Sequence, residues 1–239
     1  AANAPTSFTT EVSFNLNHTR EPEYYKFTGE KVQGNWQRWM DTWDTSALNS
    51  GFSNFKTAPQ PILSEIAFAD DGSLLLGLID RFSMQTGQNN YPPVALDLTL
   101  ISGNSAGDIV RAARVGNGYV VEGPETDNTT GIQSNALPGF LTSDGPGGSG
   151  EFFYGDYYVG SDAVHGETTL GGLAVLPGSS AVATNVFDPL AFYTQGLRWL
   201  STKQGTAMRN YQVIGATQPA RQNFGKGNGM GDLEVLCDS

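Results

Sequence analysis

The sequence contains a single cysteine, Cys237, in 239 residues. These residues therefore cannot form an intrachain disulfide or a zinc site built from several thiolates. Only two histidines are present, which leaves few bases for acid–base catalysis. No run of about 18 apolar residues occurs, so the sequence offers no candidate for a membrane-spanning helix.

Positive charge is also scarce, with 13 Lys and Arg against 24 Asp and Glu and a net charge of −11. This balance argues against binding to nucleic acid or to an anionic membrane through the overall field, but it is compatible with divalent cations. The first five residues, AANAP, are typical of the start left by signal-peptide cleavage, with a cloning boundary as the alternative. We therefore expect a secreted or cell-surface protein.

Glycine and proline are plentiful, at 30 and 12 residues, while charged residues make up only 15%. This composition favours a turn-rich β protein over a helical bundle or a disordered acidic chain. No segment longer than about ten residues has the apolar spacing of an amphipathic helix, apart from a turn or two around the tryptophans.

One hairpin unit occurs twice. Residues 61–80 (PILSEIAFADDGSLLLGLID) hold two apolar runs around an Asp-Gly pair, and residues 170–188 (LGGLAVLPGSSAVATNVFD) repeat the pattern around Pro-Gly-Ser. Such pairs supply the positive φ that tight hairpin turns need. A third segment that resembles the start of this hairpin, MGDLEV at 230–235, lies near the C-terminus. Repetition of a unit points to an array of similar sheets.

Each unit is predicted to hold four short strands, which is typical of β-propeller blades. The predicted strands lie at 63–68, 74–80, 107–113 and 119–122 in the first unit, at 172–176, 181–187, 196–200 and 211–214 in the second, and at 8–16, 23–28 and 231–237 near the termini.

We interpret residues 1–239 as one all-β, propeller-like domain with long insertions between strands. Its parts are N-terminal strands and a Trp-rich segment (1–60), blades at 61–122 and 165–216, a Gly-rich excursion (123–164) and a closing strand (217–239). Beyond these two blades, we expect the C-terminal strand to pair with the N-terminal strands and make a third. Three blades are still too few for a closed ring, unless the long insertions hide further strands. We also expect self-assembly or a second chain to complete a partial propeller, since open strand edges recruit partners.

Several phrases together resemble one family: PILSEIAFADDGSLLLGLIDRFSMQTG, GDIVRAA, GPGGSGEFFYGDYY, HGETTLGGLAVLPGSSAVATNVFDP, GLRWL and NFGKGNGMGDLEVLC. In this order they look like the propeller-like region of large exported bacterial surface proteins that often carry SdrD-type or Cna-B-type β-sandwich repeats. The resemblance spans roughly residues 33–238. It implies an adhesin-like role at the cell surface and supplies no catalytic residues.

Two groups of residues are candidates for ligand binding. Three of the four tryptophans fall within 34–44 (GNWQRWMDTWD), where they either pack a core edge or stack on sugar. Acids at matched repeat positions, Glu65 and Asp232, are expected to face each other across a channel, where they could hold Ca²⁺; pairing with Arg81 or capping of backbone amides is the alternative. The candidate binding residues are Trp36, Trp39, Trp43, Glu65, Asp80, Arg81, His165, Glu167 and Asp232.

A serine motif is the main catalytic alternative. Residues 103–107 (GNSAG) match the G-x-S-x-G pattern around Ser105, but the motif acts where a strand turns into a helix, and here another strand is predicted to follow. We therefore predict a non-catalytic structural or adhesive module without a resident cofactor, Ca²⁺ excepted. The alternative is a glycan-binding or glycan-cleaving propeller that uses tryptophans and paired carboxylates.

Overall fold

The computed structural model describes residues 7–40, 49–50, 55–92, 95–123, 144–148, 150–215 and 230–236. Strands make up 45% of the structure and helices 5%, which confirms the all-β prediction. One short helix, α1 (Arg81–Thr86), and a 3₁₀ turn at Pro146–Gly148 are the helical elements within the described ranges.

The strands follow one another along the chain in the following order. They are β1 (Thr19–Tyr25), β2 (Lys31–Asn35), β3 (Asn49–Ser50), β4 (Phe55–Thr57), β5 (Pro61–Phe68), β6 (Leu74–Asp80), β7 (Ser102–Gly103), β8 (Asp108–Val115), β9 (Gly118–Val121), β10 (Tyr158–Val159), β11 (Ala163–His165), β12 (Thr169–Val175), β13 (Ala181–Phe187), β14 (Gln195–Ser201) and β15 (Ala207–Ile214).

The two repeated units form two antiparallel four-stranded sheets. The first sheet has the order β5-β6-β8-β9 and the second the order β12-β13-β14-β15, so the predicted four strands per unit are present. Gly72 and Gly178 turn the two hairpins at φ values of 79° and 80°, which only glycine adopts readily. The turns also touch, because the Gly178 amide donates to Asp70 Oδ1 at 2.8 Å.

The strands of the two units agree with the predicted positions to within a few residues, but two terminal predictions are wrong. Residues 231–236 are not a strand, and Cys237 lies outside the described ranges. Residues 8–16 are not a strand either, although their burial alternates along the segment. Val12, Phe14 and Leu16 pack against the core, so the alternating pattern predicted the buried face correctly, although this segment pairs with no strand in the described ranges.

The third four-stranded sheet corrects the expected closure of the chain. Its order is β10-β11-β1-β2, so the N-terminal strands pair with the segment before the second unit and not with the C-terminus. The pairing of β1 with β11 places Glu23 opposite His165. A small fourth sheet, β3-β4-β7, contains a parallel pair, β4 with β7.

Glycines allow the two repeated sheets to meet backbone to backbone. Ser64 Oγ donates to the carbonyl oxygen of Gly171 on β12 at 2.9 Å and to that of Gly77 on β6 at 3.0 Å. A Cβ atom at Gly77 would collide with the Gly171 carbonyl. Strand β12 is buried along most of its length.

Trp36 lies in the apolar core against the first sheet. Its side chain is 4% exposed and belongs to a cluster with Leu76, Leu78 and Val110. A second cluster lies between the repeated sheets and contains Phe152 and Phe153, whose rings meet edge to face at 4.8 Å. In the part of the chain that the structure describes, no helix is long and apolar enough to cross a membrane.

The close contact between the sheets predicts that Gly77→Ala is destabilising. Because the added methyl group meets backbone and not a flexible side chain, we expect the free energy of unfolding to fall by about 1–3 kcal/mol. Urea denaturation measures the change. Gly118→Ala is the matched control, since a Cβ there meets open space, and its effect should stay within about 0.5 kcal/mol. Equal effects of the two substitutions would contradict this packing.

Candidate functional site

Within the described residues, Trp36 and Trp39 do not form an open aromatic face. Trp36 is buried in the core, so of the two alternatives core packing is confirmed for this residue and sugar stacking is wrong. Trp39 is 59% exposed, but its Nε1 donates to the Pro61 carbonyl at 2.8 Å and the Arg81 guanidinium lies 4.8 Å from its ring centroid. Trp43 lies outside the described residues.

Asp80 and Arg81 stabilise the start of α1. Asp80 is fully buried and its Oδ1 accepts from the amides of Gln60 at 3.0 Å and Phe82 at 2.9 Å, as an N-cap does. Burial raises the pKa of Asp80 to about 7, although these hydrogen bonds oppose the rise. Arg81 donates to Gln60 Oε1 at 2.6 Å. Both side chains are committed to holding the helix.

Glu65 and Asp232 lie next to each other, as the repeat predicted. Their carboxyl groups share a hydrogen bond, which raises the pKa of Glu65 and lowers that of Asp232. Asp232 is exposed and Glu65 is partly exposed. Two carboxylates supply few of the six to eight oxygen ligands that Ca²⁺ takes, so calcium binding at this pair stays a prediction.

His165, at the end of β11, lies between two carboxylates. Its Nδ1 is 2.6 Å from Asp188 Oδ2, and its Nε2 is 3.1 Å from Glu23 Oε1. An ionised carboxylate only accepts hydrogen bonds, so each of these two carboxylates accepts from the ring nitrogen that it faces when that nitrogen carries a proton. The Phe192 ring, 4.4 Å away between centroids, packs against the imidazole.

Glu23 and Asp188 are themselves fixed by neighbours. Burial opposes the charge of Glu23, but hydrogen bonds from His165 and others lower its pKa below the ordinary value. Asn104 Nδ2 donates to Glu23 Oε2 at 2.5 Å. Asp188 is fully buried, and its Oδ1 accepts from the Thr194 amide at 3.2 Å. Asp188 and Glu23 therefore hold the His165 ring, and Asn104 holds Glu23. We call Glu23, His165 and Asn104, which all line the cavity described next, the polar wall.

This wall borders a cavity of about 100 Å³ that lies between the third sheet, α1, the small fourth sheet and the start of the second unit. The lining mixes amides, hydroxyls and apolar side chains. It consists of Pro22, Glu23, Phe55, Ser83, Met84, Gly87, Gln88, Ser102, Gly103, Asn104, Ser105, His165, Gly166, Thr168, Leu170, Phe187 and Tyr193.

Ser105 lines the cavity without forming a catalytic triad. Its Oγ is buried and has no hydrogen-bond partner among the described residues. Both ring nitrogens of His165 already face carboxylates, Nδ1 facing Asp188 and Nε2 facing Glu23. The motif leads into strand β8 and not into a helix, so the serine is not raised on a nucleophile elbow.

Sequence reasoning identified His165 but missed Glu23, Asn104 and Asp188 as its companions. Glu167 was also predicted as a binding residue. It comes shortly after His165 in the sequence, but its side chain is buried beside Arg20 and does not line the cavity. Asp188 was visible as the counterpart of Asp80 at the end of the repeated hairpin. Glu23 and Asn104 carry no sequence signal, because they reach His165 only through pairing of distant strands and loops.

No protein-family model, curated protein or solved structure matches this chain. The resemblance to exported surface proteins therefore remains a prediction from the quoted phrases.

The raised pKa of Asp80 predicts a pH-dependent stability. Because the folded-state pKa of about 7 lies above the unfolded value of 3.8, the protonated carboxyl favours folding, and its contribution is lost as pH rises toward 7 and above. Asp80→Asn removes the charge and keeps the capping oxygen. We expect it to reduce the loss of unfolding free energy between pH 5 and pH 8, by an amount on the order of a few kcal/mol.

Urea denaturation at pH 5, 6, 7 and 8 measures this slope. Asp71→Asn is the control, because hydrogen bonds from Ser73 and Arg111 outweigh burial and lower the pKa of Asp71. The stabilisation from Asp71 is therefore lost only in more acidic solution. An Asp80→Asn variant with the wild-type slope would contradict the argument.

Proposed function

We propose that this chain is a non-catalytic binding module of a secreted or cell-surface protein, and that its cavity takes a neutral, hydroxyl-rich group such as the terminal residue of a glycan. The observation that carries the proposal is the polar wall, in which Glu23, His165 and Asn104 are joined by hydrogen bonds beside a partly open cavity. Fixed donors and acceptors orient a ligand without a cost in side-chain ordering.

The chemistry of the wall favours binding over turnover. A general base needs a nitrogen or oxygen that can accept a proton from the substrate, but both His165 nitrogens already contact carboxylates. Glu23 is stabilised in its charged form, which suits a hydrogen-bond acceptor and not a general acid. Glycan cleavage by a pair of carboxyl groups requires one of them to donate a proton.

The size and lining of the cavity support a small sugar-like group. A volume of about 100 Å³ is below the roughly 300 Å³ at which small-molecule sites usually begin. Only one ring or headgroup of a larger ligand would therefore enter. The side chains of Gln88 and Asn104 offer amides, while Phe187 and Tyr193 offer apolar surface, a mixture that suits the polar rim and apolar face of a sugar ring.

This proposal predicts that Asn104→Ala weakens glycan binding. On a glycan array, followed by calorimetry with the best ligand, we expect at least a tenfold loss of affinity because the amide both touches Glu23 and lines the cavity. Asn117→Ala, in the exposed turn after β8, makes the same change away from the cavity and should bind as wild type. The absence of any glycan ligand, or equal binding by the two variants, would reject the proposal.

Self-assembly through β5 is a second proposed function, supported by the exposure of its apolar side chains. Strand β5 is the outer strand of the first sheet, and Leu63, Ile66 and Phe68 are 53%, 50% and 60% exposed. An apolar edge strand attracts another strand, and a second copy of β5 would give a symmetric pair. We propose that a contact between β5 strands of two copies covers the exposed edge of the first sheet. We also propose that the sheets have a propeller-like arrangement.

The assembly proposal predicts that the isolated chain is an oligomer at low micromolar concentration. Light scattering should give a mass above the 25.5 kDa of one chain, and Ile66→Lys should reduce it to that of a monomer because a charge would be buried in the contact. Leu190→Lys, at a residue that is 54% exposed in the connection between β13 and β14, is the control and should leave the mass unchanged. A monomeric wild-type chain would make the proposal wrong.

A further inference from the structure

A buried group of charges lies behind the cavity and plays no part in the proposed binding site. Arg20 on β1 is fully buried. Its Nη1 donates to the Asp144 carbonyl at 2.8 Å and to Glu151 Oε2 at 3.0 Å. Its Nη2 donates to the Gly107 carbonyl at 2.6 Å and contacts Glu167 Oε2.

The carboxylates in this region outnumber the positive charges. Five buried acids lie around Arg20, and the other nearby guanidinium group is that of Arg198, while His18 faces one of the acids, Asp108. The five are Asp108, Asp144, Glu151, Asp156 and Glu167. Burying so much negative charge without compensation is costly, so the group requires either bound protons or a cation.

Three of these acids have the geometry of a cation site. One oxygen each from Asp144, Glu151 and Glu167 lies within 4.8 Å of the other two. An ion placed among them can therefore come within about 2.8 Å of all three, close to the roughly 2.3–2.6 Å of calcium–oxygen contacts and well beyond the 2.0–2.1 Å of magnesium. Small shifts of the side chains would complete the calcium distances.

One carboxylate oxygen without a hydrogen-bond partner distinguishes this group of acids from an ordinary ion-pair network. Asp144 is 1% exposed, and its Oδ1 has no hydrogen-bond partner in the described part of the chain. Arg20 donates a hydrogen bond to the backbone carbonyl of Asp144, and one carboxylate oxygen of Asp144 lies within 4.8 Å of an oxygen of Glu151 and of an oxygen of Glu167.

We propose that Asp144, Glu151 and Glu167 form a structural calcium site that links the loop at 144–151 to the connection between β11 and β12. The site differs from the Glu65–Asp232 pair that the sequence suggested, and it does not depend on the cavity being a binding site. Water or backbone carbonyls supply the remaining ligands of a calcium ion.

The test is calorimetry and thermal unfolding of the full chain, freed of metal with a chelator, on addition of CaCl₂ or MgCl₂ at pH 7. We expect one calcium per chain, a rise in Tm with calcium concentration and weaker binding of magnesium.

Asp144→Asn is the most informative variant, since the Arg20 contact is to the backbone of Asp144 and is retained. Its calcium affinity should fall at least tenfold, while Glu65→Gln, in the exposed pair, should bind as wild type. Should Asp144→Asn fail to fold, Glu151→Gln and the preference of the wild type for calcium over magnesium still decide the matter. The site is wrong if wild type shows no calcium binding, or if Glu65→Gln is the variant that loses it.

Discussion

The buried guanidinium of Arg20 is the interaction on which the arrangement of this protein depends. It lies on the first strand of the chain and bonds to groups at positions 107, 144, 151 and 167. Removing such a buried charge would leave several carboxylates uncompensated, and that loss costs several kcal/mol. Local propensity cannot hold these segments together, because they come from four separate parts of the sequence.

Arg20 also affects the position of Glu23, which lies on the same strand and lines the cavity. The pairing of β1 with β2 shifts register between Arg20 and Glu23, and pairing of β1 with β11 places Glu23 opposite His165. One short strand thus presents a cation to the buried carboxylates and a carboxylate to the cavity. The cavity wall and the charge cluster are built on the same backbone, so the position of Glu23 depends on how firmly Arg20 is held.

The parts of the fold that could be predicted from sequence are those formed by neighbouring residues. The hairpin around Asp71-Gly72 and its repeat depend on turn chemistry and alternating apolar residues, and both formed near the predicted positions. The third sheet could not be predicted, because β1 pairs with a strand about 140 residues later and neither strand is distinctive.

The role of Trp36 was ambiguous for a similar reason, because spacing alone does not tell which side of a segment the core covers. The site shows the same division, since His165 stood out as one of two histidines while Glu23 and Asn104 reach it only through the tertiary fold.

The two aspartates that close the repeated hairpins show how a repeat can acquire a specific role. Asp80 and Asp188 both follow the second strand of a hairpin and both are fully buried. In the first unit the carboxylate caps α1 and holds the Gln60 amide, so its use is entirely structural. In the second unit no helix follows among the described residues, and Asp188 instead bonds to a loop amide and to His165. The residue and its burial are the same in both copies, and one oxygen of each carboxylate accepts from backbone amides. What differs is the neighbour of the other oxygen, because Asp188 Oδ2 meets the His165 imidazole while Asp80 Oδ2 has no hydrogen-bond partner among the described residues. Two similar sheets therefore differ in their surroundings, and the histidine lies where the N-terminal strand meets the second copy.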